Sequence, residues 1–340
     1  MENVDRILAA YGITPASVQA ITSRLSKVQT HQAAFALKRS SLHPERLDRW
    51  LMVVQGKHNF YREGVPPVYQ TLQENFYVVD EGEVYYLMPW LERHRTDEPD
   101  HPYEMLFTTL GKIHASSSKR YPIDYEAYAL AIRKQKEKLQ QDREELLGLV
   151  ERFESQTYMG VVPLLVCTHY KDLEHVSAML DRWYDHYEAD LKEDPEMEHS
   201  VLHGNLRPSH VQEGAPLHLL NWEKTKLGNP SLDLAAYFKE EWRYADSNMT
   251  NPPYYLHSYE EHRQMKKNEE SLFMLHLLHP GRYLKQIRQY VDAPLKADTP
   301  AVVQELTQTH RQLAQALHAQ AYFQELRDQE EQEDGEGGSD

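Results

Sequence analysis

Two short loop segments in the second half of the chain constrain the fold more than any other feature. The first, residues 203–211, has the sequence HGNLRPSHV and follows the apolar pair Val201-Leu202. The second, residues 221–235, has the sequence NWEKTKLGNPSLDLA and begins within an apolar run. Short apolar runs that end at glycine, proline or asparagine are typical of strands that lead into loops. The sequence therefore predicts two loops carried on short strands, the second followed by a helix.

The first 90 residues have the patterns of a small β-rich lobe. Residues 1–11 predict a short helix, and loosely alternating apolar residues predict two or three antiparallel strands within 17–40. Pro44 then begins a helix whose apolar residues recur at helical spacing. Two further strands flank an acidic turn at residues 80–83.

From Pro102 onward the patterns are mainly helical. A long charged helix is predicted over residues 125–154, and another over 173–191. After the two loop segments the chain is helical again, with a break at Pro280-Gly281. A small β-rich lobe followed by a larger helical lobe predicts an α+β chain with a bilobal, kinase-like fold.

The end of the chain differs from the rest in composition. Residues 328–340 hold seven acids and no base, and so supply −7 of the net charge of −16. Such a segment has no apolar surface to bury and is predicted to be disordered, either as a solvated tail or as a contact for a partner. The predicted division is an N-lobe at 1–90, a helical C-lobe at 91–326 and an acidic tail at 327–340.

Charge and composition exclude several classes of protein. A net charge of −16 argues against broad nucleic-acid binding, which requires a basic surface. The sequence has no run of about 18 apolar residues, so no membrane span is predicted. Its first residues lack the basic and apolar regions of a secretory signal. Cys167 is the one cysteine, which fits a reducing cytoplasm and excludes an internal disulfide.

Three segments together carry a resemblance to a known family: FALKRS at 35–40, LGKIHASS at 110–117, and the two loop segments. The chain resembles the aminoglycoside/choline phosphotransferase branch of the kinase-like superfamily, and within it the CotS-related spore coat proteins. The resemblance covers about residues 17–291. In active relatives the two loops have the patterns HGDxxxxN and IDWE…GDPxxDLA.

The resemblance implies a phosphate-binding role for Lys38, which follows an apolar strand. The alternative is an ordinary lysine at a strand end. Its expected ion-pair partner lies on the next helix, where Glu45 or Asp48 could serve. The loop expected to cover the phosphates lies within residues 23–34 and has no glycine, which disfavours close backbone approach to a phosphate.

Three positions that carry chemistry in active relatives differ here. Asn205 stands where the resemblance places the catalytic aspartate, and an amide can neither accept a proton nor carry charge. His210 and Asn221 stand at the metal-binding positions, although Mg²⁺ prefers hard oxygen ligands and a carboxylate above all. Glu223 could replace the lost carboxylate if the segment is irregular. Without these acids the resemblance implies loss of phosphotransfer.

The positions that maintain the loops are retained. By resemblance, His203 is a hydrogen-bonding residue of the first loop, and Asp233 opens a helix, as an N-cap aspartate would. Arg207 could reach an anion or cap its own loop. The pattern GxPxxDLA is also intact, at Gly228, Pro230, Asp233, Leu234 and Ala235.

Two functions from different classes stay open. The first is a non-catalytic, kinase-like structural or assembly component; the resemblance implies the bacterial spore coat, synthesis in the mother-cell cytoplasm, other spore coat proteins as partners, and no cofactor. The second is a small-molecule or protein kinase that uses ATP and Mg²⁺. A zinc hydrolase is disfavoured because His199, His203 and His210 lack an HExxH-like pattern, and a serine hydrolase because GxSxG is absent.

Overall fold

The structure, a computed structural model, describes residues 2–336 apart from 43, 56–62, 92–101, 213, 215–216 and 245–251. The chain forms two compact units. The first consists of residues 1–118, 199–228 and 257–264, and the second of 119–198, 229–256 and 265–340. The predicted lobes, 1–90 and 91–326, are each one continuous segment, whereas these units each combine three segments. The predicted boundaries stay a prediction.

The first unit contains a five-stranded antiparallel sheet with the strand order β1-β2-β3-β5-β4. The strand bounds are Ser17–Thr22 for β1, Leu25–Gln29 for β2, Ala34–Ser40 for β3, Val78–Asp80 for β4 and Glu83–Pro89 for β5. The predicted strands within 17–40 and the predicted hairpin around the acidic turn are confirmed. Because β3 is central, both of its backbone edges are hydrogen-bonded, to β2 and to β5.

Alternation along β3 separates the core from the candidate site. Leu37 is 3% exposed and belongs to a buried cluster with residues of helix α1, Glu2–Ala10, which the sequence predicted. Burying a leucine or isoleucine in such a cluster contributes about 1.5–3 kcal/mol. Lys38, the next residue, points to the opposite face because successive side chains of a strand alternate. There it lies opposite Tyr86 of β5.

The Lys38 face is closed by helix α2, which spans Pro44–Val54 as predicted. Its Trp50 is 1% exposed and packs on the ring of Tyr86, with ring centroids 5.0 Å apart. Such aromatic pairs contribute about 0.5–1.5 kcal/mol beyond the area they bury. Tyr86 is thereby held rigidly beside Lys38.

The remaining helices are predominantly in the second unit. Their bounds are Pro102–Ser117 for α3, Tyr125–Glu154 for α4, Val161–Glu193 for α5, Ser231–Glu241 for α6, Pro252–Glu260 for α7, Lys267–Leu278 for α8, Gly281–Asp292 for α9 and Thr299–Glu336 for α10. The prediction for α4 is confirmed, and Asp124 caps it by accepting from the amide of Ala127. Within the described part of the chain, no helix has both the length and the apolar character needed to cross a membrane.

Helix α5 begins at Val161, well before the predicted start at residue 173. Pro163 lies in its first turn, where the missing N–H of proline costs nothing. The run VVPLLVC therefore continues into the helix. The break predicted at Pro280-Gly281 is confirmed, since α8 ends at Leu278 and α9 begins at Gly281.

Helix α10 runs to Glu336, into the segment for which disorder was predicted. Arg327, the first residue of that segment, is 7% exposed and forms an ion pair with Asp190 of α5. Glutamate, glutamine and arginine also have high helix propensity, which favours continuation of an anchored helix. Helical structure therefore extends into the first part of the acidic tail.

Candidate functional site

Short antiparallel strands bring the two loop segments together in the first unit. The first loop follows the strand Glu196–Leu202, and the second leads into the strand Lys226–Gly228. These strands pair, with Lys226 opposite Leu202. A second short pair, Val211–Gln212 and His218–Leu219, joins the segment between the loops. The prediction of two loops on short strands is confirmed.

His203 ties the two loops to each other. Its side chain is fully buried, and its Nε2 donates to the carbonyl of Leu220, 2.6 Å away. Its Nδ1 accepts the backbone N–H of Asn205 at 3.3 Å. These partners require the tautomer protonated at Nε2. Trp222 packs beside the imidazole, with ring centroids 4.8 Å apart.

Gly204 allows the first loop to pass close to the second. Its φ is +72°, and a Cβ at this position would lie 2.1 Å from the carbonyl oxygen of Lys224. A side chain here would meet both backbone strain and a backbone contact that cannot move aside. The loop geometry thus depends on glycine at this position.

We expect Gly204→Ala to lower the free energy of unfolding by about 1–3 kcal/mol, since a residue held in an unfavourable backbone region costs that amount. Chemical denaturation measures it. Gly148→Ala is the matched control: Gly148 lies in α4 with open space around its Cα, and alanine there should stabilise by about 0.5–1 kcal/mol. Equal effects of the two substitutions would contradict the close approach at Gly204.

The centre of the site is an ion pair between Lys38 and Glu223. Lys38 Nζ lies 3.1 Å from Glu223 Oε1, and the two side chains are 13% and 10% exposed. Lys38 also donates to Oδ1 of Asn221. Burial lowers the pKa of Lys38, and the carboxylate of Glu223 opposes that shift. The lysine thus has both a counter-ion and an acceptor within the protein.

Both oxygens of Glu223 have partners. Oε1 accepts from Lys38 and from the hydroxyl of Tyr86, 3.1 Å away. Oε2 accepts from Ser41, at 2.8 Å from the hydroxyl and 3.3 Å from the backbone N–H. Burial raises the pKa of Glu223, but the Lys38 charge and the Ser41 hydrogen bonds outweigh burial and leave this pKa below its ordinary value. Glu223 is therefore an internal counter-ion, with no oxygen left over for a metal.

Two residues of the next helix were expected as partners of Lys38. Asp48 is exposed on α2, whereas the side chain of Glu45 lies outside the described residues, so a pair with Glu45 stays a prediction. Among the described residues, Lys38 forms its ion pair with Glu223, from the second loop segment. Metal binding, the other role considered for Glu223, would need the carboxylate that is paired with Lys38.

Asn221 has a left-handed backbone, with φ of 66° and ψ of 49°. Asparagine adopts this conformation more readily than most residues. The turn directs its side-chain oxygen at Lys38 and starts the short 3-10 helix Trp222–Lys224, which carries Glu223. Local backbone geometry therefore places both acceptors on one lysine.

Asn205 receives two basic side chains. Arg207 Nη2 lies 2.9 Å from Asn205 Oδ1, and Lys224 Nζ lies 3.5 Å from the same oxygen. Of the two roles considered for Arg207, the loop-capping contact is the one observed. The neutral amide of Asn205 is therefore an acceptor that Arg207 and Lys224 share.

His210 lies at the end of the first loop, in the 3-10 helix Pro208–His210. Its Nδ1 is 2.9 Å from the carbonyl of Asn205, so this nitrogen carries a proton and donates. Burial, and then the neighbouring His203 and nearby cations, lower the pKa of His210 to about 4. It is therefore neutral at pH 7. No group of three His, Cys, Asp or Glu side chains in the described ranges is placed to hold a metal ion.

The segment 23–34, expected to cover phosphates, forms β2 and the turns on either side of it. In the first turn, Thr22 Oγ1 accepts from the backbone N–H groups of Arg24 and Leu25, at 3.2 and 3.1 Å. Phosphate-covering loops bind with backbone N–H groups of this kind. Here the backbone N–H groups of Arg24 and Leu25 donate to the hydroxyl of Thr22.

Asp233 lies in the second unit, at the third position of α6. The N-cap of this helix is Pro230, so the expected N-cap role of Asp233 is wrong. A carboxylate in the first turn still stabilises the helix because it faces the positive end of the helix dipole. The GxPxxDLA pattern thus places its aspartate inside the helix rather than before it.

Sequence reasoning missed several residues that complete the site. Tyr86 and Ser41 bind Glu223, Lys224 contacts Asn205, and Thr22 closes the first turn. For Tyr86 a sequence signal existed. It directly precedes Leu87, which is fully buried in the core, and successive side chains of a strand point to opposite faces of the sheet. The other three are short polar contacts that no sequence spacing reveals.

Solved phosphotransferases are similar in structure to nearly the whole chain. An aminoglycoside phosphotransferase from Alicyclobacillus acidocaldarius has a TM-score of 0.69 at 16% identity, covering 96% of each chain. The AMP-bound spectinomycin phosphotransferase has a TM-score of 0.55 at 14% identity, covering 93% of this chain and 96% of its own. The fold is that of the aminoglycoside phosphotransferases.

A microcompartment-associated aminopropanol kinase is similar as well, with a TM-score of 0.51 at 13% identity, covering 94% of this chain and 97% of its own. No protein-family model matches the sequence, and no curated protein matches it either. The predicted α+β class and kinase-like fold are confirmed. At these identities the similarity establishes the fold and leaves function to the site.

Proposed function

We propose that the chain is a non-catalytic member of this fold and acts as a structural or assembly component. The observation that carries the proposal is the buried cluster of Lys38, Glu223 and Asn221, in which the carboxylate of Glu223 is bound to Lys38, Tyr86 and Ser41. Phosphoryl transfer needs carboxylates available to Mg²⁺. Here Glu223 is committed to donors of the protein, and the other acceptor beside Lys38 is a neutral amide.

The first loop supports the same conclusion. Asn205 cannot serve as a general base, and its amide oxygen is already used by two cations. His210 is neutral and donates to a backbone carbonyl, which leaves no hard oxygen ligand at that position. In the turn at Thr22, the backbone N–H groups of Arg24 and Leu25 are occupied.

The finer assignment rests on the resemblance to the CotS-related proteins. It gives a spore coat component, made in the mother-cell cytoplasm, with other coat proteins as partners and no cofactor. The alternative is phosphotransfer from ATP with Mg²⁺. Support for it comes from spectinomycin phosphotransferase, which has this fold and has been solved with AMP.

We expect the melting temperature of the protein to stay unchanged when Mg²⁺–ATP is added. A ligand at a hundredfold excess over its Kd would stabilise the folded state by about 2.7 kcal/mol, which a thermal-shift titration detects readily. Glu223 is already bound to protein donors and Asn221 is neutral, so Mg²⁺–ATP lacks the carboxylate that would anchor its metal.

Lys38→Ala is the matched variant for this titration. A rise in melting temperature in the wild-type protein, abolished by Lys38→Ala, would overturn the proposal in favour of the ATP-dependent alternative. A rise that persists in the variant would place nucleotide elsewhere on the chain, and a radiolabelled ATP hydrolysis assay would then test activity directly.

A further inference from the structure

Arg207 of the first loop and Lys224 of the second bring two positive charges together with no matching acid among the residues that the structure describes. Arg207 and Lys224 both approach Oδ1 of Asn205, at 2.9 and 3.5 Å. Over the described ranges of the chain, neither cation has a carboxylate partner. Two charged donors on a single neutral acceptor leave several of their N–H groups without an anion.

The guanidinium of Arg207 is incompletely bonded. Its Nε is buried and has no hydrogen-bond partner among the described residues. Half-buried arginines normally occupy their planar fork with a carboxylate or phosphate, which accepts two parallel hydrogen bonds. Asn205 offers the fork one oxygen, so a two-oxygen acceptor would complete it better than the amide does.

The neighbouring pair of Lys38 and Glu223 adds no net negative charge that would offset these two cations. Lys38 is matched by Glu223, and Arg24 adds a further positive charge close to Lys38. The positive charges of Arg207 and Lys38 help to lower the pKa of His210, after burial and His203. This local excess stands out in a chain with a net charge of −16.

We propose that Arg207, Lys224 and Asn205 form a contact site for an acidic side chain of a partner polypeptide. The inference rests on the proposed function, because an assembly component needs partners. Lys224 contacts Asn205 from an exposed position, and Arg207 contacts it from a half-buried one. A carboxylate that enters from a partner surface therefore meets Lys224 first and Arg207 second. Because the chain as a whole is acidic, an acidic partner is repelled by most of the protein and attracted by these two cations.

Fluorescence anisotropy with a labelled hexaglutamate peptide at low salt tests the site. We expect binding by the full-length protein, and Arg207→Ala with Lys224→Ala should weaken it at least about tenfold, as loss of partly buried charge contacts does. Lys112→Ala with Lys119→Ala is the matched control, since it removes two exposed cations and changes the net charge equally. The control should weaken binding less than about twofold.

Lys224→Glu, at an exposed position, provides a second variant should the double variant fail to fold, and it should also weaken binding at least about tenfold. The inference is overturned by no binding of hexaglutamate, by equal loss in the double variant and its control, or by equal binding of hexaglutamine. It is also overturned if inorganic phosphate binds and the peptide does not. The Mg²⁺–ATP titration is separate: a Lys38-dependent shift there would remove the proposed function while this peptide result stood on its own.

Discussion

Replacing Glu223 by alanine should lower the free energy of unfolding by about 3–5 kcal/mol, the usual cost of removing one partner of a buried ion pair. The substitution leaves Lys38 charged and buried, and it takes the acceptor away from Ser41 and Tyr86. Urea denaturation followed by circular dichroism measures the loss.

The matched control for Glu223→Ala is a double variant, Lys38→Met with Glu223→Leu. Replacing both members of a buried pair by apolar residues is often nearly neutral, so the double variant should recover most of the stability. A double variant as unstable as Glu223→Ala would show that packing rather than the unpaired charge causes the loss.

The pH dependence of this loss has a defined sign. The pKa of Glu223 is lowered in the folded protein, so its contribution is present above the unfolded pKa of about 4.5 and is lost as pH falls through the folded value. The difference in melting temperature between wild type and Glu223→Ala should therefore be full at pH 7 and shrink below pH 4.5. A difference that grows on acidification would contradict the ion pair.

Replacing Arg327 by alanine should cost about 3–5 kcal/mol for the same electrostatic reason, in the second unit. Its guanidinium donates to both oxygens of Asp190, at 3.2 and 3.1 Å, and to the carbonyl of Lys267 at 2.8 Å. It also lies 5.1 Å from the ring centroid of Trp183. Without Arg327, Asp190 stays buried, and Ser271 is its remaining side-chain donor among the residues that the structure describes.

Arg182→Ala is the matched control for Arg327→Ala, since Arg182 is exposed on α5. Its removal should change stability little. Hydrogen exchange adds a local measurement: Arg327→Ala should lower protection at the end of α10 before it affects α4. Uniform loss across the helices would indicate global destabilisation instead of release of the last helix.

Periodicity in the sequence was sufficient to predict the sheet and most of the helices, because it reports local burial. Loose alternation within 17–40 predicted antiparallel strands, β3 among them, and the helical pattern over 125–154 gave both ends of α4. The predicted start of α5 was late: the helix begins at Val161, and its Pro163 lies in the first turn, which accepts proline.

The chemistry of the site was harder to predict than its location. The absence of acids at positions 205 and 221 is visible in the sequence, but the pairing of Lys38 with Glu223 depends on a left-handed turn at Asn221. The convergence of Arg207 and Lys224 on Asn205 likewise depends on the close pass at position 204. Contacts between distant segments follow from loop geometry, which residue spacing does not encode.

The turn capped by Thr22 has a consequence for the evolutionary history of such a chain. Replacing Asn205→Asp, His210→Asn and Asn221→Asp would supply the catalytic and metal-binding side chains of active relatives, yet the hydroxyl of Thr22 would still occupy the N–H groups of Arg24 and Leu25. Under the proposed function, these three substitutions and a change at Thr22 would all be needed for phosphotransfer, so no single substitution would restore it.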